Sequence, residues 1–278
     1  MENLTDEKTK ELKIIANNIR KNIIEMLTIA KSGHTAGALG MADVFALLYF
    51  HILKQNTKDP LWANRDRLVL SNGHICPVLY ASMAIAGYFP VEELKTLRKF
   101  GSRLQGHPHR EYMPFVETSS GPLGSGLSQA VGMAISDKIY GSTRYIYAIL
   151  SDGEHNEGNT WEAIMLASKE KLSNLIVIID RNNIQIDGNT ERVMPLGDLK
   201  EKYKSFGWNA IEVDGHDFWE INNAIYKAKI NKNSPTVIVA NTIASKGIKE
   251  WENDYHWHGK APNKEEGEMA LRELGSNL

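Results

Sequence analysis

The apolar residues of this chain change rhythm along its length. Over residues 6–31 they fall at Leu12, Ile15, Ile19, Ile23, Met26, Leu27 and Ala30, a three-four spacing that lines one stripe of a helix. Ser32-Gly33-His34 ends that helix. Further helices are predicted over 42–53, 76–87 and 91–100, the last with Glu92 and Glu93 in its first turn, where they favour the helix dipole. Arg67-Leu-Val-Leu70 reads as a short strand. From 101 to 123 the rhythm disappears and Gly101, Gly106, Pro108, Pro114, Gly121 and Pro122 punctuate the chain. A loop of that length inside a compact domain is usually functional or disordered. Beyond it, strand-like segments at 145–150, 175–180, 208–213 and 235–243 alternate with helical patterns at 124–140, 157–171 and 217–230, with a weaker helix near 198–206. Such alternation predicts a parallel sheet with helices on both faces. There is no internal repeat and no linker-like stretch before 260, so residues 1–278 are expected to form a single α/β domain. The charged stretch from Lys260 onward is expected to be a loose tail.

Composition narrows the classes. Charged residues make up 24% of the 278 and the net charge is −2, so no nucleic-acid surface is expected. Cys76 is the only cysteine, which rules out an intrachain disulfide and fits a reducing cytoplasm. The N-terminal segment is polar, with no apolar signal core, and no apolar run approaches the roughly 20 residues of a membrane span. A cytoplasmic protein without a membrane anchor is expected.

The chemistry gathers at strand ends. One apolar run closes in Ser151-Asp152-Gly153, and another in Asp180, with Asn182 just past it, thirty residues after Asp152. A helix opens near Gly158. A carboxylate and an amide oxygen then share one rim of a parallel sheet beside a helix N-terminus, an arrangement suited to a divalent cation and a diphosphate. Either residue alone is better read as a turn cap; the joint spacing carries the reading. Gly121-Pro-Leu-Gly-Ser-Gly126 lets backbone approach a ligand closely ahead of a helix. It is not a dinucleotide fingerprint, since Gln129 stands where the third glycine belongs, and no Gly-Lys-Ser/Thr follows it. Of nine histidines, His34, His74, His107 and His258 sit in glycine-bearing segments, S-G-H-T-A-G, S-N-G-H, Q-G-H-P and W-H-G-K. Imidazoles there can donate to hydroxyls, polarise carbonyls and move protons near neutral pH. His51, His109, His155, His216 and His256 receive no role. Cys76, two residues after His74, reads as a core residue rather than a nucleophile. By residue type, Glu154 and Glu162 read as solvated or capping positions, and Glu157 as a helix-start acid.

These segments together resemble the transketolase family over roughly residues 10–265, and more narrowly its split form, in which the N-terminal half is a separate polypeptide. The resemblance implies a thiamine-diphosphate-binding fold of the diphosphate-domain type. It implies Mg²⁺ or Ca²⁺ held by Asp152, Asn182 and the Ile184 carbonyl. It places Gly121, Pro122, Leu123, Gly153, Glu154, Asn182, Lys246, His74 and His258 against thiamine diphosphate, and His34, His74, His107 and His258 along the substrate channel. Glu157 would face the partner's aminopyrimidine site. The pattern departs from the family at Ser151, which replaces a glycine; at Thr35, which replaces a proline; and at Ala244, where a lysine is usual and Lys246 lies two residues on. Family members pair this half with a pyrimidine-binding domain. A C-terminal subunit carrying that domain is therefore expected as partner, in a heterotetramer with two copies of each. The reaction implied is transfer of a two-carbon ketol unit from a ketose phosphate to an aldose phosphate, as in the pentose phosphate pathway, with no activity from the chain alone. Alternatives are a transketolase-like enzyme for another ketose, half of a deoxyxylulose-phosphate synthase or 2-oxo acid dehydrogenase, and a non-catalytic relative. Q-G-H-P and W-H-G-K favour transketolase.

Overall fold

The computed structural model describes residues 4–276. Its elements follow the chain as α1 (Asp6–Ala30), α2 (Ala36–Gly40), α3 (Ala42–Leu47), β1 (Arg67–Leu70), α4 (Cys76–Ala86), α5 (Ser125–Ile139), β2 (Ile146–Ser151), α6 (Gly158–Lys169), β3 (Leu175–Arg181), β4 (Ile184–Gln185), β5 (Gly188–Asn189), α7 (Thr190–Val193), α8 (Leu199–Ser205), β6 (Asn209–Asp214), α9 (Phe218–Ile230), β7 (Thr236–Asn241) and α10 (Lys264–Ser276). Five strands form one parallel sheet in the order β1-β2-β3-β7-β6. β4 and β5 make a separate antiparallel hairpin, which the apolar pattern does not announce.

The solid apolar runs have a simple cause. In β2, Tyr147 and Ile149 enter one core with α1, α3, α4 and α9, while Ile146, Ala148 and Leu150 enter a second core with α5, α6 and α8. β3 and β7 divide in the same way. A strand covered on both faces has no polar side, so alternation is lost and only the run remains. The register aligns Ser151 with Asp180 and Arg181 with Asn241, which brings the ends of β2, β3 and β7 to one edge.

Three expectations need correction. The segment 42–53 is α-helical only to Leu47 and then widens into a π-helical turn over Leu48–Ile52. The predicted helix 91–100 is a 3₁₀ turn over Val91–Thr96. The expected loose tail is the helix α10, packed on α1. Gly267 abuts Thr28, Ala270 and Leu274 are buried, and Asn17 Nδ2 donates to the Leu274 carbonyl at 2.9 Å. Its apolar positions are spaced for one helix face among many charges, so composition alone hid the helix. No helix among the described residues is long and apolar enough to cross a membrane.

Candidate active site

Beyond the carboxyl ends of the strands lies a cleft of about 250 Å³, lined by His34, Gly37, His74, His107, Gly121, Leu123, Ser151, Asp152, Gly153, Glu154, Asn182, Ile184, Gln185, Ile186 and His258. Most of the residues singled out from the sequence meet here. Pro122, Glu157 and Lys246 do not line it. Pro122 is exposed between two lining residues, Glu157 is exposed at the start of α6, and the Lys246 ammonium lies 3.9 Å from Glu252.

One wall presents oxygen atoms. Asp152 is buried at the end of β2. Its Oδ1 accepts from Gly153 N at 2.6 Å, and its Oδ2 from Asn183 N at 2.8 Å and Arg181 Nη1 at 3.2 Å. Burial raises its pKa, opposed by Arg181 and by those backbone donors. Asn182 donates through Nδ2 to Asp180 Oδ2 at 2.8 Å, and its Oδ1 accepts from Ile184 N at 3.1 Å. Asp180, which also accepts from the Thr242 hydroxyl, is pushed up to about 7 by burial and by the nearby Asp152 carboxylate. A Cβ added to Gly37 would lie 3.3 Å from Asp180 Oδ2 and 2.8 Å from Ile75 Cγ2, so backbone is pressed against this wall where only glycine fits.

A second wall is imidazole. The ring centroids of His34 and His74 lie 4.9 Å apart, and His258 is 5.4 Å from each. Burial first, then His258, Arg98 and His107, lowers His34 to about 4. His74 is held well below its ordinary value by burial and by His34, and His107 is lowered by burial and by Arg98. Burial also lowers His258. At neutral pH the cluster is therefore uncharged, and each ring offers one donor and one acceptor. His34 Nδ1 is buried without a protein partner, a polar atom poised for a ligand or water.

Two buried residues hold these walls: Glu154, which the resemblance set against the cofactor but whose residue type did not suggest burial, and His155, which received no role. Glu154, read as solvated or capping, is fully buried. Its Oε1 accepts from the Ser71 hydroxyl at 2.5 Å and Gly124 N at 2.6 Å, and its Oε2 from Ser151 N at 3.1 Å. One carboxylate thus ties the turn after β1, the glycine-rich loop and the end of β2. His155, given no role, places Nδ1 at 3.0 Å from the Ser151 carbonyl and 3.1 Å from that of Asp152, and Nε2 at 2.9 Å from Tyr203 OH. Nothing local announces such contacts, because their partners lie up to 83 residues away. Gly124 adopts φ +80°, and a Cβ on Gly126 would come within 2.6 Å of Ser71 Cα, so the glycines of this loop are required by close approach. Cys76 is a core residue, as its type suggested: burial pushes its thiol up to about 12 and its Sγ lies 3.2 Å from the Gly106 carbonyl.

No cluster of three or more His, Cys, Asp or Glu side chains suited to a metal occurs among the described residues. The donors available are one carboxylate, one amide oxygen and backbone carbonyls in the same wall, a set suited to Mg²⁺ or Ca²⁺ once phosphate oxygens complete the shell. The Gly37 cradle, the glycine-rich loop and the partnerless His34 Nδ1 fit a bound cofactor as well. Fold and cleft thus define an α/β domain with a polar binding cleft at the carboxyl edge of a parallel sheet.

Residues 11–277 match the family described as transketolase, thiamine diphosphate binding domain; the chain belongs to that family. It is 40% identical over 268 residues to the 6-deoxy-6-sulfo-D-fructose transketolase subunit SqwG of Clostridium sp. (strain MSTE9), covering 96% of this chain and 98% of that one. It is 36% identical to an apulose-4-phosphate transketolase subunit of Phocaeicola vulgatus, covering 96% and 95%. Against human transketolase the identity is 38%, and the match spans 98% of this chain but 43% of that protein. The solved transketolase of Leishmania mexicana superposes with a TM-score of 0.91 at 35% identity, covering 95% of this chain and 41% of that one. The chain therefore spans about two-fifths of the full-length transketolases and nearly all of the relatives named as subunits.

Proposed function

We propose that this chain is the diphosphate-binding subunit of a two-subunit, cytoplasmic transketolase that moves a two-carbon ketol unit from a ketose phosphate to an aldose phosphate. The observation that carries the reading is the uncharged imidazole cluster of His34, His74 and His258 facing the oxygen wall of Asp152 and Asn182 in one cleft. Asp152, the Asn182 amide oxygen and the Ile184 carbonyl would hold Mg²⁺ or Ca²⁺. Gly121, Leu123 and Gly153 would let thiamine diphosphate lie against backbone. When bound, that cofactor supplies the carbanion for breaking and making the carbon–carbon bond.

The residues of this chain do the rest. His34 and His258 hold substrate oxygens at the reacting end, and as neutral rings they can give or take a proton there. His74 would lie toward the diphosphate and thiazolium of the cofactor, and His107 would contact substrate hydroxyls. Glu157, exposed beside the cleft, faces a partner subunit that brings the pyrimidine-binding domain. Two copies of each subunit form the assembly. The match over nearly the whole length of relatives named as subunits supports a separate partner chain.

The test is a ketol-transfer assay with xylulose 5-phosphate, ribose 5-phosphate, thiamine diphosphate and Mg²⁺, run on this chain, on the partner and on their complex. Activity confined to the complex is expected, and transfer by the pure isolated chain would overturn the two-subunit reading. Because relatives are named for 6-deoxy-6-sulfo-D-fructose and apulose 4-phosphate, and Thr35 and Ala244 alter two cleft-side segments, those ketoses are run as donors in parallel. A cofactor-loaded complex that uses one of them and not xylulose 5-phosphate would reassign the substrate and keep the chemistry.

A further inference from the structure

A second set of buried charges runs beneath the cleft. Arg20 in α1 places Nη1 and Nη2 at 3.2 and 2.5 Å from the two carboxylate oxygens of Asp43 in α3. Its Nε donates to the Leu39 carbonyl in α2 at 3.2 Å. Asp43 Oδ2 also lies 2.7 Å from His216 Nδ1, in the turn between β6 and α9. On the other side of that ring, Nε2 accepts from Ile243 N–H at 2.8 Å. A ring nitrogen that accepts from an amide carries no proton, so the proton is on Nδ1 and is donated to Asp43.

Ile243 is the second residue of the loop after β7, and this network touches the loop at both ends. A Cβ on Gly40 would lie 2.9 Å from the Ile243 carbonyl oxygen, and one on Gly247 would lie 3.3 Å from Arg20 Cδ. Between them, Ser245 N donates to the Ala36 carbonyl at 2.9 Å. The residue before Ile243, Thr242, donates to Asp180, which in turn holds the Asn182 amide. The loop therefore forms a floor under α2, the helix that follows His34. In this loop Ala244 is fully buried.

We propose that His216 is a positioning residue for the cleft: through its hydrogen bond to Ile243 it sets the 242–247 loop, and with it the Asp180–Asn182 wall. The expectation for cofactor affinity rests on the function proposed above; the expectation for loop order does not. The test compares wild type, His216→Ala and His216→Gln in the two-subunit complex. The glutamine amide can donate to Asp43 and accept from Ile243, as the neutral ring does. Deuterium uptake of the 241–250 peptide is expected to rise at least tenfold in rate in His216→Ala and to stay within threefold of wild type in His216→Gln. Thiamine diphosphate affinity, measured with Mg²⁺ by tryptophan fluorescence, is expected to follow the same order, with a loss of at least tenfold in the alanine variant. Wild-type exchange and affinity in His216→Ala, or a glutamine variant as impaired as alanine, would overturn the proposal. If His216→Ala does not assemble, Asp43→Asn against His216→Gln supplies the same contrast, with faster loop exchange expected only in Asp43→Asn. A wild-type complex that binds no thiamine diphosphate would defeat the cofactor reading, while the exchange contrast would still decide the role of His216.

Discussion

Glu154→Gln tests whether one buried carboxylate holds the cleft together. The glutamine oxygen can replace Oε1 and keep the Ser71 hydroxyl and Gly124 N–H as donors. Its amide nitrogen then faces Ser151 N–H, donor against donor, where Oε2 accepted at 3.1 Å. An unpaired buried donor costs about 1–3 kcal/mol, and exchanging two charge-assisted bonds for neutral ones costs about 1 kcal/mol each. Against this, the variant no longer buries an ionised group, whose pKa burial raises, so part of that cost is returned. A net loss of about 2–3 kcal/mol follows, or roughly 3–5 °C in Tm for a chain of this size. Urea denaturation of this chain, with the slope checked for constancy, measures the loss. Because the three tied segments are the turn after β1, the glycine-rich loop and the end of β2, weaker thiamine diphosphate binding by the complex is expected alongside. A variant within about 0.5 kcal/mol of wild type, or more stable than it, would refute the clamp, since burial of the charge would then outweigh its hydrogen bonds.

Three further outcomes are expected. Asp152→Ala should abolish Mg²⁺-dependent thiamine diphosphate binding in the complex, measured by calorimetry; unchanged affinity removes the metal assignment. His155 is lowered from 6.5 to about 4 by burial and regains its ordinary value on unfolding, so the unfolded state binds the extra proton between those values. Its share of stability, about 3 kcal/mol, is therefore present above the ordinary histidine range and lost as pH falls toward the folded-state value. His155→Gln should flatten that part of the pH–stability curve relative to wild type, and parallel curves would show that the ring titrates alike in both states. Gly126→Ala sets a Cβ 2.6 Å from Ser71 Cα, a backbone atom that cannot swing aside. A loss of about 1–3 kcal/mol is expected by thermal unfolding, and a neutral result would mean that α5 and the turn after β1 shift apart freely.

The local pattern of the chain was enough for the parallel α/β class and for most of the residues that line the cleft. A strand buried on both faces must be solidly apolar, and a change from strand to loop at Asp152 or Asn182 is marked by the residues that end it. The four histidines in glycine-bearing segments were legible for the same reason: their surroundings are local in sequence. What tertiary structure decided is everything held by distant partners. It turned Glu154 from a supposed surface acid into a clamp for three loops and gave His155 and His216 buried partners. It folded the charged tail as α10 against α1, and it drew His34, His74 and His258, from opposite ends of the chain, into one uncharged cluster. Hydrogen bonds and desolvation depend on which groups meet and how much water is excluded, and a linear pattern carries neither until the sheet has brought its strand ends to one edge.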